Sequence, residues 1–299
     1  MKKDTLQRFL FDEAPVRGAL VRLDDSWREI NARHDYPPVL RDRLGELAAA
    51  GILLAANLKF DGQLILQIQG QGALRLLVVE VNAATRTLRA TARWDGELPA
   101  DADLATLTGQ GQCVITLDPK QAGAEPYQGI VALEGGSVAS LLTHYMERSE
   151  QLDTLIMLAA DGDCAAGMLL QKLPGSSGDE DDWPRARELA ATLKQEELLT
   201  LSADDILYRL FHQEVIRAFD AESVAFQCSC SRERVGGMLR MIGRDEVESI
   251  LSEQGSVEIA CEFCQQKYVF DEDDAAELFA GPQDPVSYTH LTLPTICSV

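Results

Sequence analysis

Four cysteines in two close pairs constrain this chain more than any other feature of its sequence. One residue separates Cys228 from Cys230, two residues separate Cys261 from Cys264, and 30 residues lie between the pairs. Such pairs are compatible with disulfides, with redox chemistry or with a bound metal. Zn²⁺ in structural sites takes four ligands in tetrahedral geometry, and two cysteine pairs supply that set. The spacing therefore predicts a Cys₄ site for one Zn²⁺, with a C-x-C pair that is less usual in zinc ribbons than C-x-x-C.

The segment that carries these cysteines is too short to be stabilised by a hydrophobic core alone. It spans 43 residues from Cys228 to Phe270 and contains few large apolar side chains. Domains of this size usually need a metal or disulfides to fold. Metal binding in such modules contributes about 10–16 kcal/mol, against about 5–15 kcal/mol for the total stability of an ordinary domain. Loss of the metal is therefore expected to unfold the module.

The same sulfurs have two potential roles. Metal-bound sulfurs remain thiolates, and the thiolate is the species that oxidants attack. The site is therefore a structural clip or a redox sensor, and the spacing alone favours the clip. Four thiolates on Zn²⁺ leave about two excess negative charges. The segment offers five cations to offset them: Arg232, Arg234, Arg240, Arg244 and Lys267.

The N-terminal segment bears on the redox compartment. Asp4, Arg8, Asp12 and Glu13 interrupt any apolar core of a secretory signal. No apolar run approaches the roughly 20 residues of a membrane span. The sequence therefore predicts a cytoplasmic protein with no membrane partner. In that reducing compartment, clustered cysteines are more often metal-binding or catalytic than disulfide-bonded.

Charge argues against a nucleic-acid partner. The 299 residues include 27 Lys and Arg against 48 Asp and Glu, a net charge of −21. The cysteine segment from Cys228 to Phe270 contains five basic and seven acidic residues. Such a surface keeps a protein soluble and repels phosphate backbones. A zinc ribbon that binds nucleic acid is therefore a disfavoured alternative.

Enzymatic alternatives are also disfavoured. In a thioredoxin-type oxidoreductase, C-x-x-C sits near a βαβ pattern, whereas "CEFCQQKYVF" runs into a strand-like stretch. The four histidines are scattered, without a nucleophile elbow or an H-E-x-x-H pattern. We expect no enzymatic activity, and the oxidoreductase stays as the second alternative.

Residue patterns predict an α+β fold with a mixed-sheet N-terminal domain, a helical linker and a small C-terminal Cys₄ zinc-binding module. Apolar residues at Leu40, Leu44, Leu47 and Leu54 predict a helix that buries one stripe, and "QLILQIQ" alternates as a half-buried strand. Further strands are expected in "ALRLLVVEVN", "RTLRATAR", "QCVITLD", "YQGIVALE", "DTLIMLAA" and "CAAGMLLQKL". Ser137 is expected to cap a helix that buries Val138, Leu141, Leu142 and Tyr145.

Composition divides the chain into four parts. An N-terminal α+β domain (1–174) precedes an acidic and helical linker (175–226), a zinc module (227–280) and a tail (281–299) whose composition suggests a non-native extension. The linker holds two amphipathic segments, "RARELAATLKQEELL" and "ADDILYRLFHQEVIRAF", the second capped by Ser202 with Asp205. Helices this short must dock to be stable. The apolar stripe of the second runs through Ile206, Leu207, Leu210, Phe211, Val215 and Phe219.

The remaining cysteines receive no functional role. Cys113 and Cys164 lie alone in apolar stretches and are expected to be buried. Cys297 lies in the tail.

The sequence resembles the heat shock protein 33 family, the bacterial redox-regulated holdase chaperones. The C-x-C and C-x-x-C pairs with this gap are typical of the family, and "EPYQGIVALEGGSVASLLTHYMERSEQLDTLI" (Glu125 to Ile156) is similar to its N-terminal domain. The order of domain, linker and cysteine module also agrees. The resemblance extends from Met1 to about Phe279, with only the tail outside it.

The resemblance implies a function and a mechanism. The reduced protein would hold Zn²⁺ through the four cysteines and be inactive. Hypochlorous acid, or peroxide combined with heat, would form the disulfides Cys228–Cys230 and Cys261–Cys264 and release the metal. The module and linker would then lose structure and expose client-binding surface, for which the linker offers Leu207, Leu210, Phe211, Val215 and Phe219. The N-terminal domain (1–174) would serve client binding and dimerisation. The oxidised form is expected to be a homodimer that acts without ATP and passes unfolding clients to ATP-dependent refolding chaperones.

Overall fold

The computed structural model of the chain describes residues 4–58, 61–121, 123–133, 135–175 and 179–280. The tail with Cys297 lies outside the described residues. The described strands are β1 (Thr5–Phe11), β2 (Val16–Leu23), β3 (Gly62–Gly70), β4 (Leu74–Asn82), β5 (Thr87–Trp94), β6 (Gly111–Pro119), β7 (Tyr127–Ala132), β8 (Thr154–Ala160), β9 (Ala165–Lys172), β10 (Ile216–Ala218), β11 (Glu222–Ser223), β12 (Ala225–Phe226), β13 (Val257–Ala260) and β14 (Lys267–Phe270). The described helices are α1 (Asp25–Asn31), α2 (Pro38–Ala56), α3 (Leu104–Thr108), α4 (Val138–Arg148), α5 (Asp182–Ala191), α6 (Gln195–Thr200), α7 (Ala203–Phe211), α8 (Arg232–Ile242), α9 (Arg244–Gln254) and α10 (Glu272–Ala280).

These elements form two compact units. Unit 1 comprises Met1–Cys228 together with Glu262–Cys264, and unit 2 comprises Ser229–Cys261 with the residues from Gln265 onward. Unit 1 contains a sheet of order β10-β1-β2-β9-β8, with β11 also on β1, and a second sheet of order β12-β5-β4-β3-β6-β7. The second sheet is mixed, because β12 runs parallel to β5 while all other neighbouring strands of this sheet are antiparallel. The predicted α+β class is confirmed.

Helix α2 lies at the centre of unit 1. It packs against β2, β8 and β9 of the first sheet and against β3, β4 and β5 of the second. Leu40, Leu44 and Leu47 are fully buried, as predicted, but so are Ile52 and Leu53 on other sides of the helix. The predicted single apolar stripe was therefore too narrow, because a helix covered on both sides must be apolar around most of its circumference.

The predicted cap of α4 is confirmed. The Ser137 hydroxyl accepts a hydrogen bond from the Ser140 N–H at 3.1 Å, and the four predicted apolar residues of the helix are buried. Cys113 in β6 and Cys164 before β9 are also buried, as expected, with 1% and 4% of their surface exposed.

The linker differs from its prediction in two ways. The first amphipathic segment forms two helices, α5 and α6, with a break at residues 192–194. The second amphipathic segment is helical only as far as Phe211, the last residue of α7. Its later residues form β10, which pairs antiparallel with β1. The prediction that one helical stripe includes Val215 and Phe219 was wrong, because the backbone there forms strand bonds to the first sheet. The Ser202 cap is present, and its hydroxyl accepts from the Asp205 N–H at 3.2 Å.

Helices α5, α6 and α7 pack on the first sheet of unit 1. Together they form a second core in which Leu207, Leu210 and Phe211 are buried against Phe9 and Phe11. The expectation that these short helices dock is met.

The described part of unit 2 has a core of seven buried residues, which are Val235, Leu239, Val247, Leu251, Val257, Phe270 and Ala275. Helix α9 packs against β13 and α10 against β14 of the antiparallel hairpin, and α8 packs against both of these helices. A core of this size is small for an independent domain, which agrees with the expected dependence on a metal. No described helix of the chain is long and apolar enough to cross a membrane.

Candidate metal centre

The C-x-x-C pair lies in a tight turn between β13 and β14. The Gln265 N–H donates to the Cys261 carbonyl at 2.7 Å, and the Cys261 N–H donates to the Gln266 carbonyl at 2.9 Å. Gln265 has a φ of 58°, in the left-handed region, which is uncommon for a residue other than glycine. This reversal turns both cysteine side chains toward one point. The C-x-C pair follows β12 and precedes α8, whose first turn is capped by Ser231.

The structure brings all four predicted cysteines together. The sulfurs of Cys228, Cys230, Cys261 and Cys264 lie within 4.8 Å of one another, and the described residues contain no disulfide bond. A tetrahedron with Zn–S bonds of about 2.3 Å has edges of about 3.8 Å. The thiol cluster is therefore close to the size that Zn²⁺ requires, and four cysteine sulfurs form a donor set typical of structural zinc. The residues fit this metal.

Two side chains donate hydrogen bonds to sulfurs of the cluster. The Tyr268 hydroxyl lies 3.2 Å from Cys230 Sγ, and Arg89 Nη1 lies 3.7 Å from Cys228 Sγ. Burial alone would lower the pKa of Arg89, but Glu80 and Cys228 raise it, so the guanidinium stays charged. The cluster thus has a cation at one sulfur and a hydroxyl donor at another, and both favour the thiolate form.

The expected cations of the cysteine segment have other contacts. Arg232 pairs with Asp274 at 2.6 Å, and Lys267 pairs with Glu258 at 2.6 Å. Arg89, which contacts a sulfur instead, lies in β5 and is 139 residues from its partner in the sequence. Sequence reasoning missed it, because nothing local connects β5 with the cysteines.

The residues between the C-x-x-C cysteines belong to unit 1. The Glu262 carboxylate forms an ion pair with Arg93, and its backbone carbonyl accepts a hydrogen bond from the Thr91 hydroxyl at 3.1 Å. The Cys264 carbonyl accepts from Arg33 Nη1, also at 3.1 Å. Burial lowers the pKa of His34 although it bonds to the backbone of this segment, so the imidazole is neutral at pH 7. Glu262 to Cys264 is therefore held by several groups of unit 1.

The predicted client-binding residues of the linker do not share one surface. Leu207, Leu210 and Phe211 are 7%, 4% and 1% exposed, whereas Val215 and Phe219 are 49% and 41% exposed. The first three form core, and the last two flank β10. Any surface made from all five requires α7 to leave the first sheet.

Fold and site together define a class of protein: a two-sheet α+β domain whose chain continues into a small thiol-rich metal module. Comparison with known proteins identifies the family within that class. The family model described as Hsp33 protein matches residues 4–271. The chain belongs to the Hsp33 family, and the resemblance found in the sequence is confirmed.

Individual relatives agree with this assignment. A 33 kDa chaperonin of Chromobacterium violaceum is 58% identical over 276 residues, which cover 92% of this chain and 94% of the relative. The 33 kDa chaperonin of Methylobacillus flagellatus is 52% identical and covers the same shares. The crystal structure of the 33 kDa chaperonin (heat shock protein 33 homolog) of Thermotoga maritima has a TM-score of 0.80 and 24% identity, covering 93% of this chain and 98% of that chain, and shares the fold. Membership of this family makes the protein a heat-shock chaperone.

Proposed function

We propose that this chain is a redox-regulated, ATP-independent holdase of the cytoplasm, inactive when reduced and metal-bound and active when oxidised. The observation that carries the proposal is the gathering of four cysteine sulfurs within 4.8 Å in a chain of the Hsp33 family. The four sulfurs serve as ligands in one state and as redox groups in the other.

In the reduced state, the four cysteines hold the module together. Bound Zn²⁺ would be held by Cys228, Cys230, Cys261 and Cys264 and would supply the cross-link that a seven-residue core lacks. Arg89 and Tyr268 help to keep the sulfurs as thiolates. The module is then folded, and helices α5 to α7 remain packed on the first sheet.

Oxidation converts ligands into disulfides. A thiolate attacks peroxide and becomes a sulfenic acid, and the neighbouring thiol condenses with it, so that each pair loses two electrons and each H₂O₂ is reduced to two waters. The pairs that family membership implies are Cys228–Cys230 and Cys261–Cys264. Two disulfides leave no thiolate to hold a metal. The module then lacks its cross-link and unfolds.

Unfolding of the module and linker provides the chaperone surface. Departure of α7 from the first sheet exposes Leu207, Leu210 and Phe211 and the apolar residues that they cover. Large exposed apolar patches bind other unfolded chains, and the net charge of −21 keeps such a sticky form soluble. The oxidised form acts as a homodimer and passes clients to ATP-dependent refolding chaperones.

Substitution of one ligand tests this proposal. Cys264→Ser should lower the Zn²⁺ content of the reduced protein from one per chain and give aggregation suppression without oxidant, because three sulfurs hold the module poorly. Cys113→Ala, which alters a buried thiol outside the cluster, is the matched control and should keep both properties of the parent. If Cys264→Ser retained a full Zn²⁺ complement and stayed inactive until oxidised, the four-ligand switch would be wrong.

A further inference from the structure

The outer face of the second sheet is partly apolar. Three residues of β4 lie opposite three residues of β5, pairing Leu76 with Arg93, Val78 with Thr91 and Glu80 with Arg89. Leu76 and Val78 are 7% and 6% exposed although the main core lies on the other face of these strands. A sheet with one face on the core usually has a hydrated outer face. Something therefore covers these residues.

The cover is Phe263, from the middle of the C-x-x-C pair. Its ring packs on Ile65, Leu76 and Val78, which form a cluster separate from the main core. The Arg89 guanidinium carbon lies 4.1 Å from the centre of the same ring. The ring is thus held between an apolar floor and a charged planar group. We call the four residues that contact this ring, Ile65, Leu76, Val78 and Arg89, the seat of Phe263.

Polar contacts fix the backbone on either side of this ring. We use the name arginine cradle for Arg33, Arg89, Thr91 and Arg93. Arg33 binds the Cys264 carbonyl, Thr91 binds the Glu262 carbonyl, and Arg93 binds the Glu262 carboxylate. Thr91 is only 3% exposed, so its hydroxyl depends on protein partners.

Arg89 connects the seat with the thiol cluster. Besides Phe263, it contacts Cys228 Sγ at 3.7 Å and forms an ion pair with Glu80 at 2.7 Å. Glu80 lies directly opposite Arg89 in the sheet and fixes the direction of its side chain. The Arg89 side chain therefore contacts the C-x-C segment at Cys228 and the C-x-x-C segment at Phe263, next to Cys264.

We propose that the arginine cradle is a positioning site for the C-x-x-C segment and sets how slowly the four-thiol cluster loses its metal. The inference rests on the proposed function, because it concerns the metal-bound state. Two of the four ligands, Cys228 and Cys264, lie in or beside segments that the cradle holds. When one sulfur dissociates, a held backbone returns it to the cluster faster than a free loop would. Groups around metal ligands commonly change metal affinity by about 10–100-fold when they are replaced.

Metal transfer from the reduced, Zn²⁺-loaded full chain to a chromogenic chelator measures this retention. Arg89→Met keeps much of the side-chain volume but removes the charge and the planar group, and it should speed transfer by about tenfold or more. Arg75→Met is the matched control, because Arg75 is an exposed β4 residue that pairs with Asp95 and donates to the Gln71 carbonyl. Its transfer rate should stay within twofold of the parent.

Two further variants separate positioning from general loss of stability. Thr91→Val is close in shape and removes the hydroxyl that donates to the Glu262 carbonyl at 3.1 Å and accepts from the Tyr36 hydroxyl at 3.5 Å. It should also speed transfer while the urea midpoint of unit 1 changes little. Phe263→Ala should speed transfer, and combining it with Arg89→Met should add much less than the product of the two single effects, because both remove the same contact.

The cradle's role is overturned if Arg89→Met, Thr91→Val and Phe263→Ala all transfer metal within twofold of the parent rate, or if the paired variant shows the full product of the single effects. If the parent chain bound no Zn²⁺ at all, the proposed function would fail together with the cradle. A parent that binds Zn²⁺ and variants that release it at the parent rate would overturn the cradle alone.

Discussion

Phe211 holds the linker on the first sheet, and its truncation tests how the inactive state is maintained. The side chain is 1% exposed and meets two aromatic rings, Phe11 edge-on with centroids 5.0 Å apart and Phe9 at 6.2 Å. Truncation of a buried Phe to Ala costs about 3–5 kcal/mol. Aromatic pairs add about 0.5–1.5 kcal/mol beyond the area that they bury. We therefore expect Phe211→Ala to lower the free energy of releasing α7 by about 4 kcal/mol.

A change of this size should raise the population of the released linker about a thousandfold. Hydrogen exchange of the α5 to α7 amides in the reduced, Zn²⁺-loaded protein measures this opening, and suppression of client aggregation without oxidant measures its consequence. Tyr208→Ala is the matched control on the same helix, because Tyr208 is 75% exposed; it should change the opening by less than about 0.5 kcal/mol. Exchange in Phe211→Ala within threefold of the parent would refute the reasoning.

Three further predictions concern other parts of the chain. Burial raises the pKa of Cys113 from 9.0 to about 12. The unfolding free energy that the buried neutral thiol contributes is therefore fully present below pH 9.0 and falls by about 1.4 kcal/mol per pH unit toward pH 12. Cys113→Ala should reduce this fall of the unfolding free energy with pH in urea titrations, and an unchanged fall would count against it. A Cβ on Gly18 would lie 2.2 Å from Phe9 Cζ, so Gly18→Ala should cost about 1–3 kcal/mol in the same assay, whereas a cost near zero would show that Phe9 moves freely. Chelation of the reduced protein should unfold unit 2, and far-UV and near-UV spectra that both stay unchanged would contradict its dependence on metal.

Sequence patterns predicted those parts of the fold that depend on neighbouring residues. The Ser137 and Ser202 caps and the spacing of the cysteine pairs are local features, and each corresponds to a structural feature at the expected place. The alternation predicted for β3 holds for Leu64, Leu66 and Ile68, but Ile65 between them is also buried, on the outer face. Local patterns predict well where the same residues both form the element and provide its apolar face.

Features that depend on distant partners were missed. The spacing of Leu207, Phe211, Val215 and Phe219 continues a helical period, but the chain after Phe211 pairs instead with β1, some 200 residues earlier. The close approach of Phe9 to Gly18 likewise needs the β1–β2 register. Tertiary context overrides the local pattern at such places.

The support for the thiol cluster was the largest omission. Arg89, Thr91 and Arg93 alternate in "RATAR". In β4, Leu76 and Val78 are apolar on the outer face, and Leu77 and Val79 are apolar on the core face. A strand that is apolar on both faces indicates a cover on its outer side. The pattern does not say which segment provides that cover, because Phe263 lies more than 180 residues away.

The central claim is that one set of thiols both holds the metal and controls the chaperone surface. The most direct test follows Zn²⁺ release and suppression of a heat-unfolded client's aggregation in the same sample, reduced and then treated with peroxide at elevated temperature. The account predicts no suppression in the reduced sample, release of one Zn²⁺ per chain on oxidation, and suppression that rises with that release and is reversed by reductant. Equal suppression by the reduced and oxidised forms, or suppression with the metal still bound, would contradict it.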